Sequence, residues 1–187
     1  MDTWVIILLL VFGLVLVYGV WTFNRLVSLG ARADGSWSDI DVQLKKRWDL
    51  VPSLVETVRG YASHERATLE EVVEARSKAK DTSETGARAA AESRLTGGVH
   101  RIFALAEDYP DLKADEMYRK LHDQLVDVEN DLESARRYYN AVVRDLNTLV
   151  AQFPSSLVAG VSGRRAREFF ELDAPSERSA PSAKIGG

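Results

Sequence analysis

The chain contains no cysteine. Disulfide bonds, thiol catalysis and thiolate metal sites are therefore excluded for this sequence. It also lacks runs in which apolar and polar residues alternate, the pattern typical of half-buried β-strands. Helices are the expected secondary structure.

The three histidines lack the neighbours that metal sites in helical proteins need. Helical bundles commonly bind metals through Glu-x-x-His pairs, but the residues three places before the histidines are Tyr61, Gly97 and Arg119. His64 begins a zinc-protease motif in which Thr68 replaces the second histidine. A glycine-rich phosphate loop is also lacking. We therefore predict no catalytic residues, no metal and no cofactor, and regard an unrecognised hydrolase as the remaining enzymatic alternative.

Acidic and basic residues are mixed along the chain, 28 against 24, for a net charge of −4. Such an ordinary solvated surface is not one that recruits nucleic acid. Besides Lys45-Lys46-Arg47, the other basic concentration is Arg164-Arg165-Ala166-Arg167, which Glu168 follows directly. We interpret it as part of a helix surface, with contact to lipid headgroups as the alternative.

Twenty residues from Trp4 to Phe23 carry no charge. At about 1.5 Å per residue a helix of this length reaches about 30 Å, the thickness of the hydrocarbon core of a bilayer. Aromatic side chains are enriched where the two ends of a span meet the membrane interfaces. In this run Trp4 stands at one end, and Tyr18, Trp21 and Phe23 stand at the other. The run predicts a transmembrane anchor whose interface residues are these four.

A cleaved signal peptide is the alternative interpretation of the same run. Ala31-Arg32-Ala33 has the small-x-small form of a cleavage site. However, a signal peptide has a basic start and an apolar stretch of about 7 to 15 residues, whereas here Asp2 is the only charge before a longer run. We therefore expect an uncleaved anchor.

The basic residues nearest the span predict its orientation. No Lys or Arg precedes it, while Arg25 and Arg32 follow closely. Positive charge accumulates on the cytoplasmic side. We expect a single-pass protein of the cell membrane, with its N-terminus outside and its large domain in the cytoplasm.

Twelve apolar positions between Ala114 and Phe153 recur in alternating steps of four and three. This period of about 3.5 predicts one long helix that packs along other helices with left-handed supercoiling. A turn at residues 108–111, which contains Pro110, marks its start, and Pro154 ends it. Ser155 or Ser156 is expected to cap the short segment that follows. We favour packing within one chain, with a parallel oligomeric coiled coil as the alternative.

A second apolar stripe predicts an earlier long helix. Its members are Trp37, Ile40, Leu44, Trp48, Val51, Val55, Val58, Ala62, Leu69 and Val72. Pro52 cannot donate an interior backbone hydrogen bond, so we expect a kink or break near residues 49–52. Because only Gly30 and Gly35 interrupt the connection, the membrane helix is expected to continue into this one.

A polar loop at residues 80–87 and a shorter helix from Arg88 to Glu107 complete the prediction. The buried stripe of this helix is Ala91, Leu95, Val99, Ile102 and Ala106. Residues from Ala174 onward are mostly Ala, Pro, Ser and Gly, which predicts disorder.

These elements predict an all-α protein, with an N-terminal transmembrane helix followed by an antiparallel bundle of three to four long helices. The expected domains are an anchor at residues 1–24, a helical bundle at 25–172 and a disordered tail at 173–187.

One group of polar and aromatic residues is a candidate interaction surface. Its members are Arg136, Arg137, Tyr138, Asn140 and Asn147. Tyr and Arg contribute strongly to protein contacts. The alternative is that these residues pack against a neighbouring helix of the same chain and hydrogen-bond to its backbone.

Three stretches together resemble the bacterial LemA family. They are residues 37–65, which include Trp37-Ser38-Asp39-Ile40-Asp41 and Asp49-Leu50-Val51-Pro52, residues 106–114, and Arg136-Arg137-Tyr138-Tyr139-Asn140 with the residues up to Asp145 and with Phe153-Pro154-Ser155. The resemblance covers roughly residues 23–170. One departure is Phe23-Asn24, where the family often has a Tyr beside the Asn.

The resemblance implies an N-terminal membrane anchor, a cytoplasmic bundle of long helices and no established enzymatic activity. A magnetosome membrane protein belongs to the same family, and association with membrane protease systems is a further suggestion. We expect a non-enzymatic scaffold or adaptor whose candidate partners are the lipid bilayer, a second copy of the chain and a membrane protein. A membrane-tethered sensor that binds a ligand between helices is the alternative.

Overall fold

The computed structural model describes residues 3–171. Its helices are α1 Thr3–Tyr61, α2 Arg66–Asp81, α3 Thr85–Ala106, α4 Pro110–Ala114, α5 Glu116–Ala151 and α6 Ser155–Val161. No strand occurs in this part of the chain. The predicted all-α class is therefore confirmed, whereas the predicted disordered tail at 173–187 lies outside the described residues.

Helix α1 is continuous from the apolar run to Tyr61, so the predicted break at residues 49–52 is wrong. Pro52 has no N–H to donate to the carbonyl oxygen of Trp48. That oxygen instead accepts a hydrogen bond from Arg76 Nε on α2, at 2.5 Å. A contact with another helix thus satisfies the group that Pro52 leaves unpaired.

Other helix ends differ from the prediction because local contacts set them. The stripe from Trp37 to Val72 is divided by a turn at residues 62–65, in which the Glu65 N–H donates to the Ala62 carbonyl at 3.1 Å. The loop before α3 is only residues 82–84. At the start of α6, Ser155 Oγ donates to the Gln152 carbonyl instead of capping the helix.

The twelve apolar positions predicted between Ala114 and Phe153 form a seam, and helix α5 buries its central part. Its buried apolar side chains include Tyr118, Leu121, Leu125, Val128, Leu132, Tyr139, Val142 and Leu146. The two ends of the seam, Ala114 and Phe153, are exposed and lie outside α5. Asp115 sets the start of the helix, because its carboxylate accepts a hydrogen bond from the Tyr118 N–H at 2.8 Å.

The chain divides into two compact units. Within the described residues, unit 1 comprises residues 3–41 and 134–169, hence the first part of α1, the second part of α5, and α6. The Trp37 and Tyr139 rings lie 5.3 Å apart, while Gly30 and Leu146 line one cavity. These pairs make α1 and α5 antiparallel within unit 1.

Within the described residues, unit 2 comprises residues 42–133 together with 170 and 171. Within it, Arg47 contacts Glu129 and Tyr61 contacts Asp115, so α1 and α5 are antiparallel here as well. Helices α2 and α3 form a hairpin that packs against them. The core includes Val51, Leu54, Val55, Val58, Leu69, Val72, Leu95, Val99, Ile102, Leu112, Leu121 and Leu125.

Candidate interaction surface and buried polar networks

The expected membrane-interface residues lie on α1. Trp4, Trp21 and Phe23 are exposed and Tyr18 is half-buried. The Tyr18 and Trp21 rings lie 6.3 Å apart at the C-terminal end of the run. Within the described residues, α1 is the one helix that is long and apolar enough to cross a membrane by length and composition. None of its most apolar 18-residue stretch is buried.

The candidate surface residues do not all face solvent. Tyr138 is 55% exposed, and Arg137 beside it is exposed and donates to Ser134 Oγ at 3.3 Å. Arg136 and Asn140 are half-buried. The group therefore contains an exposed pair, Arg137 and Tyr138, and half-buried residues beside this pair.

Asn147 is engaged inside unit 1. Its amide nitrogen donates to the Arg167 carbonyl at 2.9 Å, and its amide oxygen accepts from the Arg167 N–H at 2.8 Å. The side chain of Arg167 donates to Asp34 at 2.6 Å. These bonds fasten the segment that follows α6 to both α1 and α5.

Residues 164–167 are not helical, so the interpretation of the basic cluster as a helix surface is wrong. The segment is held in an irregular conformation by the Asn147 pair and by Tyr139, whose hydroxyl donates to the Glu168 carbonyl at 3.0 Å. Burial raises the pKa of this hydroxyl above its ordinary value of 10.0. It therefore remains a protonated donor at neutral pH.

A buried polar network in unit 2 is absent from the sequence-based prediction. Arg47 is 1% exposed and forms an ion pair with Glu92, which is completely buried. The Arg47 guanidinium also donates to Thr96 Oγ1 at 2.7 Å and to Glu129 at 2.9 Å. Trp48 Nε1 donates to the second carboxylate oxygen of Glu92 at 2.9 Å. The network joins α1, α3 and α5.

The apolar stripes contained a signal for this network. Arg47 lies three residues after Leu44 and four before Val51, and Glu92 lies three residues before Leu95. Each charge therefore occupies a core-facing position of its helix. These positions therefore indicate that both charges are buried, although the spacing does not identify their partners.

A cavity of about 230 Å³ borders the network. Its apolar walls include Val99, Phe103 and Leu125, and its polar end is formed by groups such as Arg47 and Glu129. This arrangement can accommodate a small molecule with an apolar body and a polar end. Within the described part of the chain, no cluster of His, Asp and Glu could hold a metal ion.

Comparisons with known proteins place these features in a family. Residues 36–184 match the LemA family. The chain is 22% identical to magnetosome protein MamQ of Magnetospirillum gryphiswaldense over 174 residues, which cover 79% of this chain and 64% of the relative. It is 20% identical to magnetosome proteins MamQ 1 and MamQ 2 of Paramagnetospirillum magneticum over 175 residues, which cover 80% of this chain and 64% of each relative. The match thus spans just under two thirds of the length of these relatives.

The apolar run of α1 and the helical packing of both units agree with these similarities. The chain is a membrane-associated helical protein, and because the family match covers most of its length, it belongs to the LemA family.

Proposed function

We propose that this protein is a non-enzymatic, membrane-anchored scaffold or adaptor that presents helical surfaces to other proteins at the membrane. The observation that carries the proposal is the continuity of α1, which passes from the apolar run into the packed helices without a flexible linker. A surface attached in this way keeps its orientation to the membrane, which suits positioning better than capture of distant partners.

The proposed contact centres on Tyr138 and Arg137. Tyr138 exposes a large ring on α5, whereas the next residue, Tyr139, is buried and bonded within unit 1. Tyr and Arg are among the residues enriched at the energetically dominant positions of protein interfaces. A second copy of the chain is the partner that we test first.

Site-specific photocrosslinking tests this contact. A photoreactive phenylalanine at Tyr138 should give adducts of twice the chain mass in native membranes, or adducts with a recurring membrane protein identified by mass spectrometry. The matched control carries the same group at Arg144, which is also exposed on α5. Only monomeric protein at both positions would contradict the scaffold proposal. Turnover of ester, peptide or phosphate substrates by the purified full chain would contradict its non-enzymatic nature.

We also propose that the N-terminus faces outward and the helical units face the cytoplasm. Arg25 and Arg32 follow the span and no basic residue precedes it. Because the chain has no cysteine, single cysteines introduced by Thr3→Cys and Glu133→Cys report the two sides without background. A membrane-impermeant maleimide should label the first variant in intact cells and the second only after permeabilisation. The opposite pattern would reverse the orientation.

A membrane-tethered sensor is the second candidate, because a cavity with a polar end lies beside Arg47. A ligand there should raise the melting temperature of the full chain in a screen of small amphiphilic acids and amines. Val126 lines the cavity and is 39% exposed, so Val126→Trp should fill the space without disrupting the core. Loss of the ligand-induced shift in that variant would support the sensor; no shift with any compound would argue against it.

A further inference from the structure

Helix α6 presents apolar side chains to its surroundings. Leu157 is 62% exposed and Val161 is 94% exposed, and Phe153 just before the helix is 76% exposed. The opposite face of α6 buries Ser155 and Ala159. Surface helices normally place polar residues outward, so this outward apolar face needs an apolar environment. We call Phe153, Leu157 and Val161 the apolar tip.

The register of unit 1 places the apolar tip beside the end of the membrane span. Trp37 pairs with Tyr139 across the antiparallel helices. Because both helices rise about 1.5 Å per residue, the end of α5 at Ala151 is level with Arg25. The packing of unit 1 also reaches the span itself, since Thr22 and Leu26 are completely buried. Phe153, just beyond the end of α5, is therefore at the height where hydrocarbon gives way to headgroups, and α6 with Leu157 and Val161 follows directly after it.

Arginines adjoin the apolar tip. A Cβ atom at Gly30 would lie 3.1 Å from Arg164 Nη1, and Gly30 is only about 10 Å along the helix from Phe23. Arg164, Arg165 and Arg167 border a cavity of about 290 Å³ with Gly30 and Leu146. Among residues 3–171, Arg167 pairs with Asp34, while no ion pair engages Arg164 or Arg165. Two cationic groups thus remain available near the membrane surface.

We propose that the apolar tip, together with Arg164 and Arg165, is a second membrane-contact site that docks unit 1 on the bilayer and binds anionic phospholipid headgroups. Apolar side chains that enter the interface, combined with basic residues that contact headgroups, are the usual means by which a segment lies on a membrane. The site is continuous with the span, which makes the bilayer its partner. This inference rests on membrane anchoring and is independent of the proposed protein contact at Tyr138.

Fluorescence of single-cysteine variants of the full chain in vesicles tests the proposal. Leu157→Cys carries an environment-sensitive fluorophore, and the vesicles contain phosphatidylcholine, phosphatidylglycerol and lipids with a nitroxide near the headgroup. We expect blue-shifted emission that the nitroxide quenches. The matched control is Ala141→Cys, because Ala141 is exposed on α5 farther from the span. A fluorophore at this position should have the emission wavelength of the same fluorophore in water. Equal emission and equal quenching at positions 157 and 141 would overturn the proposal.

Two further measurements separate its parts. Leu14→Cys lies within the span, so quenching there with none at position 157 would reject the second contact and retain the anchor, whereas failure at both would reject the anchor as well. Arg164→Ala and Arg165→Ala should each shift the equilibrium of the position-157 contact toward water about fivefold in vesicles with phosphatidylglycerol. An unchanged equilibrium in the double variant would overturn the role of the arginines.

Discussion

Arg47 is the largest completely buried side chain in the described part of the chain. Removing a charge from water costs several kcal/mol, and the structure offsets this cost with the Glu92 and Glu129 carboxylates and the Thr96 hydroxyl. The sequence places Arg47 and Glu92 on buried stripes, but it cannot pair them, because they lie on helices far apart along the chain. Periodicity therefore predicts burial, whereas only tertiary structure reveals the partner.

Breaking this pair should be costly. Arg47→Met leaves the Glu92 carboxylate buried without its cation, and we expect the free energy of unfolding to fall by about 3–5 kcal/mol. Adding Glu92→Gln removes the stranded charge and should recover part of the loss. Urea unfolding followed by circular dichroism measures both. Arg59→Met, which removes an exposed pair with Glu56, is the control and should cost less than about 1 kcal/mol.

Asp115 should make stability depend on pH in the acid range. The Tyr118 backbone N–H, and then the Tyr61 hydroxyl, hold the pKa of its carboxyl below the ordinary value of 3.8. Because the folded-state pKa is the lower one, this stabilisation is present above pH 3.8 and is lost as the pH falls through the folded-state pKa. Asp115→Asn should therefore flatten the fall of melting temperature with acidification below about pH 4. Asp131→Asn, on the exposed face of α5, should retain the wild-type pH profile, and an identical profile for Asp115→Asn would contradict the assignment.

Among the elements, α3 contains two adjacent glycines with different surroundings. A Cβ at Gly98 would lie 2.9 Å from Val72 Cγ2, whereas a Cβ at Gly97 would meet nothing within 4 Å. Gly98 is thus required where α2 and α3 approach closely, because the β-branched Val72 side chain cannot easily move away. From the sequence alone, both glycines are simply residues that weaken a helix. Which side chain lies beside each of them is decided by the tertiary structure.

Alanine substitutions should separate the two glycines. Gly97→Ala should raise the free energy of unfolding by up to about 1 kcal/mol through helix propensity. Gly98→Ala gains the same propensity but forces Val72 aside, so we expect a net loss on the order of 1 kcal/mol. Thermal unfolding compares the two variants, and Val72→Ala added to Gly98→Ala should remove the clash. Equal stabilisation by both single substitutions would show that the helices can separate.

Near Pro52, the backbone of helix α1 relies on a hydrogen bond from α2. Pro52→Ala restores an N–H that can donate to the Trp48 carbonyl, the group that Arg76 otherwise satisfies. Arg76→Met should therefore destabilise the wild type by about 1–3 kcal/mol and the Pro52→Ala variant by clearly less. A double-mutant cycle measured by urea unfolding gives the coupling between the two positions. Additive effects would mean that water satisfies the carbonyl.

The elements differ in how far the sequence alone predicts them. The centre of α5 and four of the five predicted buried residues of α3 were predicted correctly because their apolar periodicity is local; the fifth, Ala91, is half-buried. Several helix ends were not, because individual hydrogen bonds that apolar periodicity does not report decide them. Pro52 is tolerated because Arg76 lies near Trp48, and α5 begins at Glu116 because Asp115 caps it. The same limit applies to Asn147, whose partner segment carries no pattern of its own.

For the whole molecule, cleavage near Ala33 would remove part of a packed unit. Leu26, Leu29 and Ala33 are almost completely buried. A chain that begins at residue 34 loses both leucines, each worth about 2–5 kcal/mol, and should lose cooperative unfolding of unit 1. A chain that begins at residue 20 keeps them and should unfold cooperatively in detergent. Circular dichroism melting and limited proteolysis compare the two, and equal melting temperatures would revive the cleaved-leader alternative.

Helix α1 continues without a break from the apolar run into the packed part of unit 1. It therefore also sets the rotational orientation of that packed part about the membrane normal. An α-helix turns about 100° per residue, so one leucine inserted after Leu10 would swing the outer part of the run by that angle relative to unit 1. Seven inserted residues would return it to within about 20° of its starting azimuth. A membrane protein that contacts both the apolar run and the packed part of unit 1 should therefore bind with an affinity that varies periodically with the number of inserted residues. Its binding should survive an insertion of seven residues and be lost with an insertion of two.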